Sequence, residues 1–240
     1  MMATVKDTMD KAARRCSVTP PTSWISATDK TSVELKDLLD ETVEEILDRL
    51  DLPDPITKDT TITYTGTEPH DLPSDFLRLT RDPLAVYETT TTRRRGIPIM
   101  TNGMWSHLEQ LGSAGGDRYY RTSGDDAAGF AIEFYRPLGT GDSVIVSYVS
   151  QNWLTSSGTA GKVWAAAEDT LLLPAELVRL GVVWRFKQRK GLPYSDIMAE
   201  YEARITRRIN DGRGMRSVNM GGGEMRAPWD IPVPDFIPSS

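Results

Sequence analysis

The 240-residue chain has one cysteine, Cys16, and two histidines, His70 and His107. A single cysteine excludes an intrachain disulfide and any metal cluster held by thiolates. Two histidines leave little material for an imidazole-based zinc or iron site, and a Ser-His-Asp arrangement would have to use one of them. Long apolar runs are missing too: stretches such as Leu171-Leu172-Leu173 fall far short of the ~20 residues that span a bilayer. Residues 1–15 carry charges of both signs and lack the apolar segment of a secretory signal, so a chain made in a cytosol, with no membrane partner, is expected. Nor is there an excess of positive charge. A net charge of −6 argues against a surface built throughout to grip nucleic acid.

What is present is a globular composition, with 39% hydrophobic and 26% charged residues. The length suits one large domain or two small ones, at roughly 100–150 residues per domain. Residues 1–27, with Pro20-Pro21 and several Ser and Thr, read as a loosely structured arm. From 29 to 50, Leu35, Leu38, Leu39, Val43, Ile46, Leu47 and Leu50 repeat at three- and four-residue spacing and predict one stripe on a helix. Thr28 or Asp29 can cap its start, and Pro53 and Pro55 forbid its continuation. Its other face is acidic, with nine carboxylates from Asp29 to Asp51 against Lys30, Lys36 and Arg49. The plain reading is a solvated face; the sharper one is a face kept from DNA or pressed to a basic neighbour.

From about 60 to 155 the period changes. Residues 61–65, 84–87, 130–135 and 143–148 are rich in β-branched and aromatic side chains in near alternation, punctuated by glycines. No long helix separates them, so an antiparallel sheet or small sandwich is expected, with a short helix near Met104 to Leu111. Helices return at Ala175–Lys190, opened by Pro174 and closed by Gly191, and at Ser195–Asp211. The first puts Leu177, Leu180, Val183, Trp184 and the stem of Lys187 on one side; the second aligns Ile197, Tyr201, Ile205 and Ile209. The two form a helical hairpin whose apolar stripes need the 29–50 helix as partner.

The fold class expected is therefore α+β: a helical layer, made of the N-terminal helix and the C-terminal hairpin, with an inserted antiparallel β-domain and an extended tail. The divisions are an arm at 1–27, a helical domain at 28–55 and 164–216, a β-domain at 56–163 and a proline-rich arm at 217–240. That arm follows Gly221-Gly222-Gly223 with a proline every few residues, which favours an extended path. Trp229, Ile231, Val233, Phe236 and Ile237 lie between its prolines, an apolar content unusual for a linker.

Candidate chemistry is sparse. Gly158 to Val163 lacks the spacing of a phosphate loop, and Gly112 to Asp117 does not lie between a parallel strand and a helix. Adjacent acids such as Asp125-Asp126 and Glu44-Glu45 point apart on regular backbone, and the first pair suits a turn. His70 stands beside Glu68 and Asp71 in a Pro-bounded loop with no candidate nucleophile, so an exposed histidine is expected. No catalytic residue, metal site or cofactor emerges, and an enzyme is not expected. Basic clusters remain. Arg93, Arg94 and Arg95 look like a hairpin tip, solvated or facing DNA, a tail component or an acidic partner. Residues 176–216 carry ten cations, among them Arg179, Arg185, Arg204, Arg207 and Arg208, against five carboxylates. This surface and the acidic helix attract each other, within one subunit or between subunits.

The order Tyr148, Trp153-Leu154, a glycine-rich loop, Trp164, Glu168 to Pro174, Leu180 to Lys187 and Lys190-Gly191-Leu192-Pro193-Tyr194 resembles the C-terminal half of phage adaptor proteins. These are the head-to-tail connectors of the tail tubular protein A and tail accessory factor type. Asp71-Leu72-Pro73-Ser74-Asp75-Phe76-Leu77-Arg78-Leu79 is similar to a short segment of the same family, and the resemblance spans roughly residues 29–215. It implies a dodecameric ring of identical copies in the virion neck, between the portal protein and a downstream tail or nozzle protein, with genomic DNA passing along the axis. Under it, the five arginines of residues 179–208 are expected at a subunit interface or the channel. The five apolar tail residues become candidate portal anchors. A nucleic-acid-binding module on the Arg-rich helices is the alternative.

Overall fold

A computed structural model of the chain describes residues 3–63, 68–82, 84–89, 96–111, 118–125, 127–135, 139 and 141–212. The elements begin with α1 (Val5–Arg15), α2 (Lys30–Arg49), β1 (Thr57–Thr63), β2 (His70–Asp71), β3 (Phe76–Leu79) and β4 (Val86–Glu88). Next come α3 (Asn102–Leu111), β5 (Tyr119–Asp125), β6 (Gly129–Tyr135), β7 (Ser143–Ser150), β8 (Leu154–Ser156), β9 (Thr159–Gly161) and β10 (Thr170–Leu171). Helices α4 (Ala175–Arg189) and α5 (Ser195–Gly212) follow. The mixture of helices and antiparallel pairs is α+β. The tip Arg93–Arg95 and the tail anchors Trp229, Ile231, Val233, Phe236 and Ile237 lie outside the described residues.

The described residues divide into two compact units, one within 3–57 and 149–212, the other within 58–148. In the first, α4 packs against α1, α2 and α5. The capping expected of α2 is present: the Asp29 carboxylate accepts the Ser32 N–H at 2.9 Å. Its stripe is buried from Leu35 to Leu47. Pro174 is the N-cap of α4, and Gly191, at φ +66°, takes the left-handed turn that ends it. The one-sided stripe expected on α4 is corrected. Leu177, Val178, Leu180, Gly181, Val182, Val183 and Phe186 are all buried, because three helices surround it. A helix covered all round loses its amphipathic period.

Residues 1–27 are not a loose arm. Thr4 accepts the Asp7 N–H at 3.1 Å and starts α1, whose Val5, Met9, Ala12 and Ala13 are fully buried. The first residues also extend a small sheet ordered β10-β8-β9: Val5 N–H donates to Asp169 O at 2.9 Å, and Leu171 N–H to Ala3 O at 3.0 Å. Trp24 anchors the connection onwards, buried, donating to Asp10 at 2.7 Å and facing Trp164 with ring centroids 6.3 Å apart. Residues 149–163, expected in the β-domain, therefore fold with the helices.

The second unit has a sheet in which β7 pairs with β1, β3 and β4, and another ordered β2-β6-β5. Register is set by alternation: Tyr120 opposes Phe134 and Thr122 opposes Ile132 across β5 and β6. Ile62, Val86, Val144 and Val146 of one sheet share a core with Tyr120, Ile132 and Phe134 of the other. The motif at 71–79 closes this core. Phe76 lies against Phe130 and Tyr148, with ring centroids 5.2 and 5.8 Å away, and Asp75 accepts from Lys58 at 2.6 Å and from the Tyr148 hydroxyl at 3.0 Å. The short helix expected near 104–111 is α3, whose Trp105 is buried edge-on to Tyr135 under the Arg121 guanidinium.

Candidate functional site

Charge on the helices organises the first unit. α2 and the α4–α5 hairpin carry opposite charge, and the structure joins them within one chain. Arg185 of α4 pairs with Glu45 of α2, and also donates to the Thr42 hydroxyl at 3.1 Å and to Gly181 O at 3.2 Å. Its side chain is only 12% exposed and stacks on the Trp184 ring, 4.5 Å from the centroid. Arg189 meets Glu41 at 2.5 Å and Lys190, the C-cap of α4, meets Glu34 at 2.6 Å, so three ion pairs tie α2 to α4. Arg49 grips Glu202 of α5 with two bonds, at 2.8 and 2.6 Å, and reaches Glu45 at 2.6 Å. The Arg49 bonds hold the Glu202 carboxyl below its ordinary value. Tyr201, buried, donates to Glu45 at 3.3 Å.

The five arginines singled out from the sequence have different fates. Arg185 is inside the network just described. Arg204 bridges α5 to α4 through Glu176 at 2.5 Å and holds Glu200 at 2.9 Å; Arg179 lies 3.6 Å from Glu176. Arg207 and Arg208 are exposed. Arg207 is 3.9 Å from Asp211, and Arg208 has no ion pair among the described residues. Glu44 and Glu45 do point apart, the first to solvent and the second into the helical layer.

Two outward faces remain. On α2, Asp37, Asp40 and Glu44 are exposed on one stripe and form no ion pair among the described residues. On α1, Lys11, Arg14 and Arg15 are exposed, with no ion pair among the described residues. The second face escaped the sequence reading because the helix beneath it did. Its signal was present in Val5, Met9, Ala12 and Ala13, at helical spacing behind Thr4.

Elsewhere the chemistry is structural. His70 is buried, not exposed as expected: it lies 3.3 Å from Glu68 and packs on Phe134 with centroids 6.1 Å apart. Burial raises the Glu68 carboxyl. Asp125 makes the expected turn, accepting the N–H groups of Ala127 and Ala128 at 2.9 and 2.7 Å. Asp169 is buried and accepts from Ala165 and Ala166, both at 2.9 Å. Burial works to raise its carboxyl, but these bonds and one from Ser156 more than offset it and leave it lowered. Among the described residues, no group of three or more His, Cys, Asp or Glu could hold a metal ion, and no helix is long and apolar enough to cross a membrane.

A family model described as SU10 adaptor protein matches residues 3–227. No curated protein matches the chain. The matched span opens just ahead of α1, well before the 29–215 expected from the sequence.

Proposed function

The chain belongs to the SU10 adaptor protein family, and from that premise we propose that it is a structural protein of a phage virion, seated in the neck between portal and tail. The single observation that carries this reading is the family match across nearly the whole described chain. In this reading identical copies form a ring, dodecameric as the resemblance implies, around the path of the ejected genome. The role is structural and draws on no catalytic residue or cofactor.

The helical layer supports the reading by the way its helices are tied together. Four ion-paired contacts tie α2 to α4 and α5, so one subunit can carry load as a block. The proline-rich tail is the portal grip, with Trp229, Ile231, Val233, Phe236 and Ile237 as its anchors. Ordering some 24 residues costs about 1–2 kcal/mol each, and five buried anchors return only ~1.5–3 kcal/mol each, so the tail orders on a partner that also satisfies its backbone. Many copies in a ring then act together. The Arg93–Arg95 tip meets the downstream tail component or passing DNA, and Arg207 and Arg208 are the α5 arginines left for a subunit or channel surface.

A nucleic-acid-binding module on α4 and α5 is disfavoured, because Arg185, Arg189, Lys190 and Arg204 are already engaged by carboxylates of the same chain. The test is to image portal-bearing heads with full-length protein and with a chain lacking 217–240. The full chain should add a ring below the portal, and the truncated one should stay folded yet leave the portal bare. Truncated protein that caps heads as well as the full chain removes the tail from this role. A full-length chain that ignores the portal and binds duplex DNA with steep salt dependence overturns the adaptor reading.

A further inference from the structure

The two outward faces of the helical unit are complementary, and neither forms an ion pair among the described residues. Lys11, Arg14 and Arg15 sit at i, i+3 and i+4, on one side of α1. Asp37, Asp40 and Glu44 sit at i, i+3 and i+7 on α2, with Val33, 39% exposed, one turn earlier on the same stripe. Each helix packs its apolar side on α4, so each charged side faces away from it. Within each face the like charges three and four residues apart oppose one another, with Asp7 and Asp10 on α1 and Lys36 on α2 offsetting part of this. On Asp40, partial burial and the neighbouring Glu44 and Asp37 carboxylates raise the carboxyl's pKa, and Lys36 offsets only part of that. The same chain pairs Glu34, Glu41 and Glu45 on the inner side of α2. Among the described residues, the three cations of one face and the three carboxylates of the other form no ion pair.

We propose that neighbouring copies meet through these faces, the basic side of α1 on one copy resting on the acidic stripe of α2 on the next, with Val33 at the edge of the contact. The proposal rests on the ring reading above and deepens it. A contact between two different faces is heterologous: every copy offers one and receives the other, and a chain of such contacts closes into a ring when the rotation allows. Exposed ion pairs are individually weak, so the contact gains its strength when a partner gathers many copies.

Two full-length variants test it: Lys11→Glu/Arg14→Glu/Arg15→Glu, and Asp37→Lys/Asp40→Lys/Glu44→Lys. Each is followed by mass photometry and sedimentation at low salt, with and without portal, and circular dichroism checks the fold. Either variant alone sets like charges against each other and should assemble about tenfold less than the wild type, or worse. Mixed in equal amounts they should assemble again, because alternating copies restore opposite charge at every contact. Recovery in the mixture cannot come from misfolded subunits. If a reversal does unfold the chain, the neutral set Lys11→Gln/Arg14→Gln/Arg15→Gln replaces it and should weaken assembly and flatten its salt dependence. Assembly of each variant alone at wild-type level, or no recovery in the mixture of two folded variants, overturns the contact while leaving the ring reading intact. A wild type that forms no ring on the portal overturns both. Loss of duplex DNA binding without loss of assembly, on reversing Lys11, Arg14 and Arg15, assigns that face to nucleic acid and overturns the contact.

Discussion

Gly181 of α4 faces Thr42 of α2 so closely that a Cβ on the glycine would stand 2.3 Å from Thr42 Cγ2. Thr42 cannot swing aside at low cost, since it is fully buried and its hydroxyl donates to Leu38 O at 2.7 Å. Alanine in mid-helix gains about 1 kcal/mol over glycine, but overpacking here costs roughly 1–3 kcal/mol. Gly181→Ala should therefore destabilise the protein. Thr42→Ser removes the clashing methyl, and the double variant should regain most of the loss in urea denaturation. Additive losses would mean that the two helices do not touch at this point.

Arg185 reaches three acceptors from a nearly buried position, and truncating it leaves Glu45 and Thr42 short of a partner. Arg185→Ala should cost about 2–4 kcal/mol, toward the lower part of the range for a broken buried pair, because Arg49 and Tyr201 still hold Glu45. Arg185→Met keeps the stem over Trp184 and should cost less. Equal losses in thermal denaturation would place the whole effect in the charge.

Acid should loosen the helical unit in a defined direction. Glu202 and Asp169 both have pKa values lowered in the folded chain, from ordinary values of 4.5 and 3.8. A depressed carboxyl stabilises fully above its unfolded value, and that stability fades as pH falls through the folded one. Through these two groups stability should drop as pH falls below 4.5, first through Glu202 and then through Asp169. Glu202→Gln should cost at most about 1 kcal/mol at pH 7, the pair being part-exposed, and make the upper part of the acid slope shallower. Denaturation curves at pH 3 to 7 check this, and an unchanged slope would remove Glu202 from it.

Met9 is fully buried in α1. Met9→Ala should destabilise by about 2–5 kcal/mol, the usual cost of emptying a core site. A neutral result would return residues 1–27 to the status of an arm.

Helices α2, α4 and α5 were legible to within a residue or so because their starts and stops are local: Asp29, Pro174 and Gly191 act on their own backbone. α1 was not, since Ala12, Ala13 and Met9 among so many charges become a core stripe only once α4 is beside them. The short strands β8 to β10 hold two or three residues each, and their pairing with the chain start is non-local. β5 is half polar and exposed at its end, so its propensity is weak and its partner β6 decides it. For the candidate site, the overall charge match of α2 with α4 and α5 was legible in composition. Which arginine turns inward was not, because Arg185 and Arg208 are alike as letters and differ only in what packs around them. His70 was misread for the same reason.

Cys16, which caps α1 through N–H bonds to Ala12 and Ala13, is buried, and burial pushes its thiol up to about 11. It is also the sole thiol in the chain. Its alkylation in native buffer is consequently a one-site clock: each labelled molecule records that the end of α1 came away from the body long enough to be trapped. A free subunit and one clamped by a neighbour would tick at different rates, with no probe added to the protein.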